Sequence, residues 1–400
     1  GMGDGFALAL ATDGRVLVAG AFAQGGARGS AYVFERQAAG APWRQTAKLQ
    51  AADGAAADSL GYAVALSFDV VLVGAPGHNR SRGAAYAFRR DARTGSWSQV
   101  AKLTAAAPDS AGRFGAALAL DAQRALVGAP GPHFVPGLLS GPPQLRPGSV
   151  HAFRRPAAAG TWTEEARVSP SSDSARAFGA ALSLNGPSLL VGAPGTRGGA
   201  GAVSELVRDR ATGAWQHRAT FAPESLAGFA LFGASVTPAG PGVLVGAPYA
   251  EHATGAVWYF RRDDASGRWT DRQKISVPAV GFTAGVGTSI GAAGDVAVVG
   301  APGADFFEGT GYLFRRDPQG DQWRESGTLV DKAAPLAPVT GGEVTCQSGK
   351  AATFGCSQVD LLAYLPVQAI GGKRGIMLND VWGWTDPETG REYALVGRFD

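Results

Sequence analysis

Apolar and polar residues alternate along most of this chain with a period of two. Phe114, Ala116, Leu118 and Leu120 share one face of such a segment, and "RALVGAP", "SVHAFRR" and "TWTEEARVS" follow it as further short alternating runs. This pattern predicts half-buried β-strands, four to a unit. Turn-forming pairs separate the strands, with Asp13-Gly14 and Asn185-Gly186 between the first and second, and Thr94-Gly95, Thr212-Gly213 and Ser266-Gly267 before the last. Tight turns make consecutive strands antiparallel neighbours, so each unit reads as a four-stranded meander.

The unit recurs. Gly20, Gly74, Gly128, Gly192, Gly246 and Gly300 open six near copies of Gly-Ala-Pro, at steps of 54, 54, 64, 54 and 54 residues. Trp43, Trp97, Trp162, Trp215, Trp269 and Trp323 keep the same time, each 23 residues after its Gly except for one offset of 34. A sheet with apolar side chains on both faces cannot bury them alone, and radial stacking on its neighbours solves the problem. The expected fold is therefore all-β, a β-propeller of four-stranded antiparallel blades with six clear repeats of about 54 residues. In a ring the innermost strands crowd the axis, which fits the small residues of "FALALA", "YAVALS", "FGAALAL", "FGAALSL" and "FGASVT". The Gly permits close backbone approach, the Pro ends the second strand, and the Trp fills the wedge that widens toward the outside.

Composition removes several function classes. Thirty-six basic against 33 acidic side chains leave a net charge of +3, which gives no electrostatic case for nucleic acid. No apolar run reaches the roughly 20 residues that span a bilayer. No export signal is visible at the start, where Met2 behind a lone Gly reads as a cut end.

Phe114-Gly115, Phe178-Gly179 and Phe232-Gly233, each followed by Gly-Ala-Pro, resemble the FG-GAP repeat of the integrin α-chain β-propeller, over roughly residues 5–330. Phe-Gly is degenerate at Phe6-Ala7, Gly61-Tyr62 and Gly287-Thr288. The resemblance implies a seven-bladed propeller, extracellular and engaged in adhesion or ligand binding. Many such repeats carry an Asp-rich calcium loop between the first two strands, and a calcium ion takes about six to eight oxygen ligands. Here those connections offer at most one carboxylate each, so no metal and no cofactor is expected, and Asp13, Asp69, Asp121 and Asp295 read as turn formers.

Acid–base chemistry is sparse as well. The inner strands offer Ala, Gly, Leu, Ser and Thr, and the five His residues fall at different places in the repeat. The pairs Arg89-Arg90, Arg154-Arg155, Arg261-Arg262 and Arg315-Arg316 would make a ring of positive charge, although Asp91, Asp263 and Asp317 stand immediately after three of them to offset it.

Ligands of the resembled family engage the face built from connections between second and third strands, and here those connections vary while the strands do not. They supply the candidate partner-binding rim: His78, Arg80, Phe134, Leu138, Leu139, Arg146, Arg197, His252, Phe306 and Phe307. The 131–148 loop accounts for the long step in the period, and its apolar residues either anchor a partner or fold back onto the propeller. The expected function is a non-enzymatic extracellular or cell-surface binding or adhesion scaffold for a protein or glycan. Rival readings are a hydrolase or lyase on the same scaffold and a surface-layer or filament component.

After residue 330 the rhythm stops. Residues 331–376 read as a linker and a Cys-flanked strip, and 377–400 as a terminal hairpin. Cys346 and Cys356, the only cysteines, have no CxxC or nearby His, so a local disulfide is expected in an oxidising compartment, with two free buried thiols as the alternative. The strip "VDLLAYLPVQAI" reads as a short helix or turn on a propeller edge, with Leu361, Leu362 and Leu365 as core. "CQSGKAATFGC", Trp382-Gly383-Trp384 and Glu392–Val396 resemble the junction region of choice-of-anchor B proteins, which leads into a second propeller of LVIVD-type repeats. By that resemblance the parent is an exported bacterial surface or secreted protein, and this chain a fragment of it. The hairpin then either closes the first ring or starts the next domain.

Overall fold

The architecture follows from the alternation. The computed structural model describes residues 4–131, 147–155, 160–172, 175–185, 187–226, 228–263, 265–277, 283–304 and 309–329, and beyond these parts of 337–365 and the strands within 377–399. Six four-stranded antiparallel sheets stand in chain order among them. Blade 1 is Phe6–Thr12, Val16–Ala21, Ser30–Glu35 and Arg44–Leu49, and blade 2 is Val64–Ser67, Val70–Ala75, Ala84–Arg90 and Trp97–Leu103. Blade 3 is Ala117–Leu120, Arg124–Ala129, Ser149–Arg154 and Thr163–Val168, and blade 4 is Ala181–Asn185, Ser188–Ala193, Ala202–Arg208 and Trp215–Phe221. Blade 5 is Ser235–Ala239, Gly242–Ala247, Ala256–Arg262 and Trp269–Ile275, and blade 6 is Ser289–Ala293, Val296–Ala301, Thr310–Asp317 and Gln322–Leu329. Every blade breaks register at one place between its third and outer strands, at Val33/Phe34, Ala87/Phe88, Ala152/Phe153, Glu205/Leu206, Tyr259/Phe260 and Leu313/Phe314. A bulge at a fixed position adds the same extra twist to each sheet, which keeps successive sheets superimposable around the axis.

Two glycines per repeat seal one blade to the next. A Cβ on Gly20, Gly74, Gly128, Gly192 or Gly246 would lie 1.9–2.1 Å from the carbonyl oxygen of Gly61, Gly115, Gly179, Gly233 or Gly287 in the following blade. Those five partners sit at φ of 88–93°, which L side chains rarely adopt. Their amides donate back to the Gly-Ala-Pro glycine carbonyl of their own blade at 2.9–3.0 Å, as in Gly115 to Gly128. The true Phe-Gly equivalents in blades 2 and 6 are therefore Leu60-Gly61 and Val286-Gly287, one residue before the pairs read from the sequence. A backbone bridge reinforces the seal, with Gly83 pairing Phe114 and Gly201 pairing Phe232 across neighbouring blades.

Apolar clusters occupy each interface. Leu72, Leu103, Phe114, Val127, Phe153 and Trp162 pack together between blades 2 and 3, and Leu244, Tyr259, Ile275, Val299, Phe314 and Trp323 between blades 5 and 6. In blades 2 to 6 the outer-strand Trp joins the cluster shared with the preceding blade, and Trp323 is 2% exposed and Trp162 8%. Full burial of a large apolar side chain is worth about 1.5–3 kcal/mol. Asp13 and Asp121 form turns, accepting from the amides of Arg15 and Val16 and of Gln123 and Arg124.

Downstream of the blades, Val339 and Val344 exchange backbone hydrogen bonds with Tyr364 and Leu361 at 2.8–3.0 Å. Cys346 and Cys356 close this strip with a disulfide, Cα atoms 5.9 Å apart. The strip is thus a stapled β-ladder at Leu361 and Tyr364 where a helix or turn was expected, and Leu365 is 52% exposed rather than core. Leu362 lies outside the described residues. Met377–Thr385 and Glu392–Phe399 form a two-stranded antiparallel hairpin.

Candidate functional site

The residue after each sealing glycine points at the axis. Tyr62, Ala116, Ala180, Ala234 and Thr288 hold this position in blades 2 to 6, and together with Leu8 of blade 1 they line an axial cavity of about 560 Å³ that extends along blade 6 past Ser289, Gly300, Ala301, Thr310 and Gly311. A second ring comes from the Gly-Ala-Pro position itself, through Pro130, Pro302 and, where blade 1 replaces the proline, Phe22. The wall is thus small and apolar on most sides, because strands that meet at an axis leave room for little beyond a methyl group. One corner differs. Phe22 meets Tyr62 edge to face at 5.7 Å, and the Arg113 guanidinium lies 5.3 Å over the Tyr62 ring. Burial pushes the Tyr62 phenol up, against the opposing charge of Arg113. Arg113 Nε is buried without a hydrogen-bond partner among the described residues. Among the described residues the lining offers no carboxylate and no imidazole.

Two histidine clusters lie apart from this cavity. In blade 3, Ser149 Oγ stands 3.0 Å from His151 Nε2, and His151 Nδ1 stands 2.6 Å from Glu164 Oε1. Serine, imidazole and carboxylate in that order are the connections of a nucleophilic triad. Ser149 is 1% and His151 2% exposed, however, so the group is closed to solvent and ties the third strand to the outer one. Burial holds His151 below its usual range more strongly than Glu164 raises it. In blade 2, His78 Nδ1 donates to Asp58 at 2.9 Å, and Lys102 Nζ donates to His78 Nε2 at 2.8 Å. Lys102 and the Tyr86 hydroxyl also converge on Asp53, whose carboxyl is held low by Lys102 first of all.

Of the rim expected from sequence, four residues lie among those the structure describes. Arg80, Arg197 and His252 are exposed on corresponding turns between second and third strands, each at φ of 56–60°. His78 belongs to the same turn as Arg80 but is committed to Asp58 and Lys102. Phe134, Leu138, Leu139, Arg146, Phe306 and Phe307 lie outside the described residues. Tyr62, Arg113 and Phe22 were not foreseen. Their signal was a departure from the repeat, a Tyr where three units have Ala and a Phe where five have Pro.

The paired arginines form an inter-blade clasp instead of a free positive ring. Arg90 holds Glu35 of the preceding blade through two bonds of 3.0–3.1 Å, and Arg155 bonds Asp69 of the preceding blade through a single nitrogen. Arg208 and Arg262 reach Glu165 and Glu205 at 3.7 and 3.9 Å, while Arg316 pairs with Asp295 in its own blade at 2.7 Å. Asp69 and Asp295 are thus ion-pair partners, and Asp91 and Asp263 cap turns at Thr94 and Ser266 where charge neutralisation was expected.

Comparison with known proteins agrees with this geometry. The profile of the FG-GAP repeat family matches residues 43–88 and 97–153. No curated protein matches the sequence. Among solved structures, a protein described as a 6-phosphogluconolactonase from Bacteroides uniformis superposes with a TM-score of 0.58 at 11% identity, over 80% of this chain and 84% of its own. The periplasmic gluconolactonase of Pseudomonas aeruginosa gives a TM-score of 0.52 at 17% identity, over 80% and 85%. Identities this low speak for the fold alone. They nevertheless overturn the expectation that the chain is no enzyme, because small inner strands were its argument and propellers of this shape include proteins named as lactonases.

Proposed function

Because the chain carries FG-GAP repeats on a six-bladed propeller, we propose that it is an extracellular binding scaffold that takes an apolar segment of a protein partner into its axial mouth. The observation that carries this reading is the cavity of about 560 Å³ to which all six blades contribute, walled by Ala116, Ala180, Ala234, Pro130 and Pro302 across blades 3 to 6, with the hydroxyl residues Thr288, Ser289 and Thr310 gathered at blade 6. Against the wall of blades 3 to 5 a glycan would leave its hydroxyls unpaired, whereas an apolar side chain would not. The turns with Arg80, Arg197 and His252 follow the second strands, and the segment with Phe134, Leu138, Leu139 and Arg146 and the pair Phe306 and Phe307 belong to the same connections in the repeat. FG-GAP repeats and the Cys346–Cys356 disulfide are consistent with an extracellular setting, and among the described residues no helix is long and apolar enough to cross a membrane.

Selection of displayed peptides on the full chain tests the reading. Peptides with an apolar core are expected to bind, and Ala180→Trp, which fills the mouth, is expected to weaken them at least tenfold. Unchanged binding by Ala180→Trp, or selective retention on a glycan array, contradicts it.

A second reading, a hydrolase opening lactones, is favoured by the lactonases named above and predicts turnover of gluconolactone by the full chain.

A further inference from the structure

Five of the blade junctions are sealed, and the junction between blade 6 and blade 1 is not. At the sealed junctions the residue that ends the outer strand and faces the next blade is buried: Leu49, Leu103, Val168, Phe221 and Ile275 are 3–8% exposed. Leu329, the same position in blade 6, is 53% exposed. On the other side of the seam Phe6, Leu8 and Leu10 of blade 1 are 55–57% exposed, and Trp43 is 37% exposed where Trp162 and Trp323 are 8% and 2%. Among the described residues the atoms nearest a Cβ on Gly300 are those of Ser289 in its own strand pair, while the five other Gly-Ala-Pro glycines meet the next blade's backbone. Two facing apolar edges of this size on one molecule mark a surface that is covered in use.

We propose that the C-terminal hairpin, Met377–Thr385 with Glu392–Phe399, docks in this seam and closes the ring as a seventh blade. A lone two-stranded hairpin is marginal in water and needs an apolar surface to rest on. Its strands are 9 and 8 residues long, against 4–8 in the blades, and "MLNDVWGWT" with "EYALVGRF" supplies apolar residues to both. Charge agrees. At four junctions the Arg ending the third strand holds a carboxylate of the preceding blade, but Arg36 of blade 1 makes no ion pair among the described residues and stacks on Trp43 instead. The hairpin brings Asp380 and Glu392. Excluding the stapled strip, about twenty linker residues join blade 6 to the hairpin, a reach of up to ~65 Å.

Hydrogen exchange on the full chain, with sedimentation, tests the proposal. In the wild-type monomer the amides of Phe6–Thr12 and Met377–Phe399 are expected to be protected together. Leu10→Asp with Leu329→Asp is expected to speed exchange of 377–399 at least tenfold while Ala181–Asn185 is unchanged, and Val100→Asp, an exposed apolar position away from the seam, is expected to leave the hairpin alone. Three results overturn it: free exchange of Phe6–Thr12 in the wild type, a hairpin indifferent to the seam charges, or protection of Phe6–Thr12 that appears only in a dimer, which would assign the seam to a second copy.

Discussion

The junction of blades 4 and 5 and the seam of blades 6 and 1 are built from the same repeat yet end differently. At the first, Gly192 lies against Gly233, Trp269 donates to Glu205 at 2.9 Å and stacks on Phe221 at 5.0 Å, and Arg262 approaches the same carboxylate. At the second, Gly300, Trp43 and Arg36 hold the corresponding places but, among the described residues, meet only their own blade. The contrast shows that the repeated residues are only half of each contact. The motif stabilises a blade through the blade beside it, which is the energetic logic of a repeat array.

The largest test of that contrast is Gly128→Ala against Gly300→Ala. At Gly128 the new methyl would lie 2.1 Å from the Gly179 backbone carbonyl, so one sheet must move. A loss above about 4 kcal/mol is expected in thermal or chemical unfolding, the range of core-level disruption. At Gly300 the obstacle is the Ser289 hydroxyl at 2.3 Å, which can rotate away, and about 1 kcal/mol or less is expected. Similar losses at both positions would break the comparison. Next comes Trp323→Ala, at 2% exposure expected to cost about 3–5 kcal/mol, against about 1 kcal/mol for Trp43→Ala, whose side chain is 37% exposed.

The smallest effect concerns acid. Burial alone would raise the Glu35 carboxyl, but hydrogen bonds from Arg90 and Trp97 outweigh it and hold the group below its ordinary value. A depressed carboxylate contributes stability that is present above the unfolded value of about 4.3 and is lost as pH falls through the folded one. Melting temperature should therefore drop below about pH 4, and Glu35→Gln should flatten that drop by about 1 kcal/mol or less. An unchanged slope in Glu35→Gln would remove the clasp from the account.

Much of the fold was legible because it depends on local or periodic signals. Alternation gave the strands, glycine spacing gave the blades, and Trp spacing gave the wedge filler. The motif's register in blades 2 and 6 was misread because Tyr62 resembles the expected aromatic, while the decisive property, positive φ, belongs to Gly61. The clasp from Arg90 to Glu35 joins residues 55 apart across two sheets, a distance at which no spacing rule applies. Leu365 looked like core because an apolar run carries no sign of which strand edge will lie open. The axial corner of Phe22, Tyr62 and Arg113 was written only as exceptions to the repeat, and exceptions were read as decay.

Site-resolved amide exchange on the full chain addresses the seal most directly, at Gly61, Gly115, Gly179, Gly233 and Gly287. The account predicts that these five amides exchange slowly and as one group, while the turn glycines Gly14 and Gly95 exchange at loop rates. Fast, independent exchange of the five would contradict it.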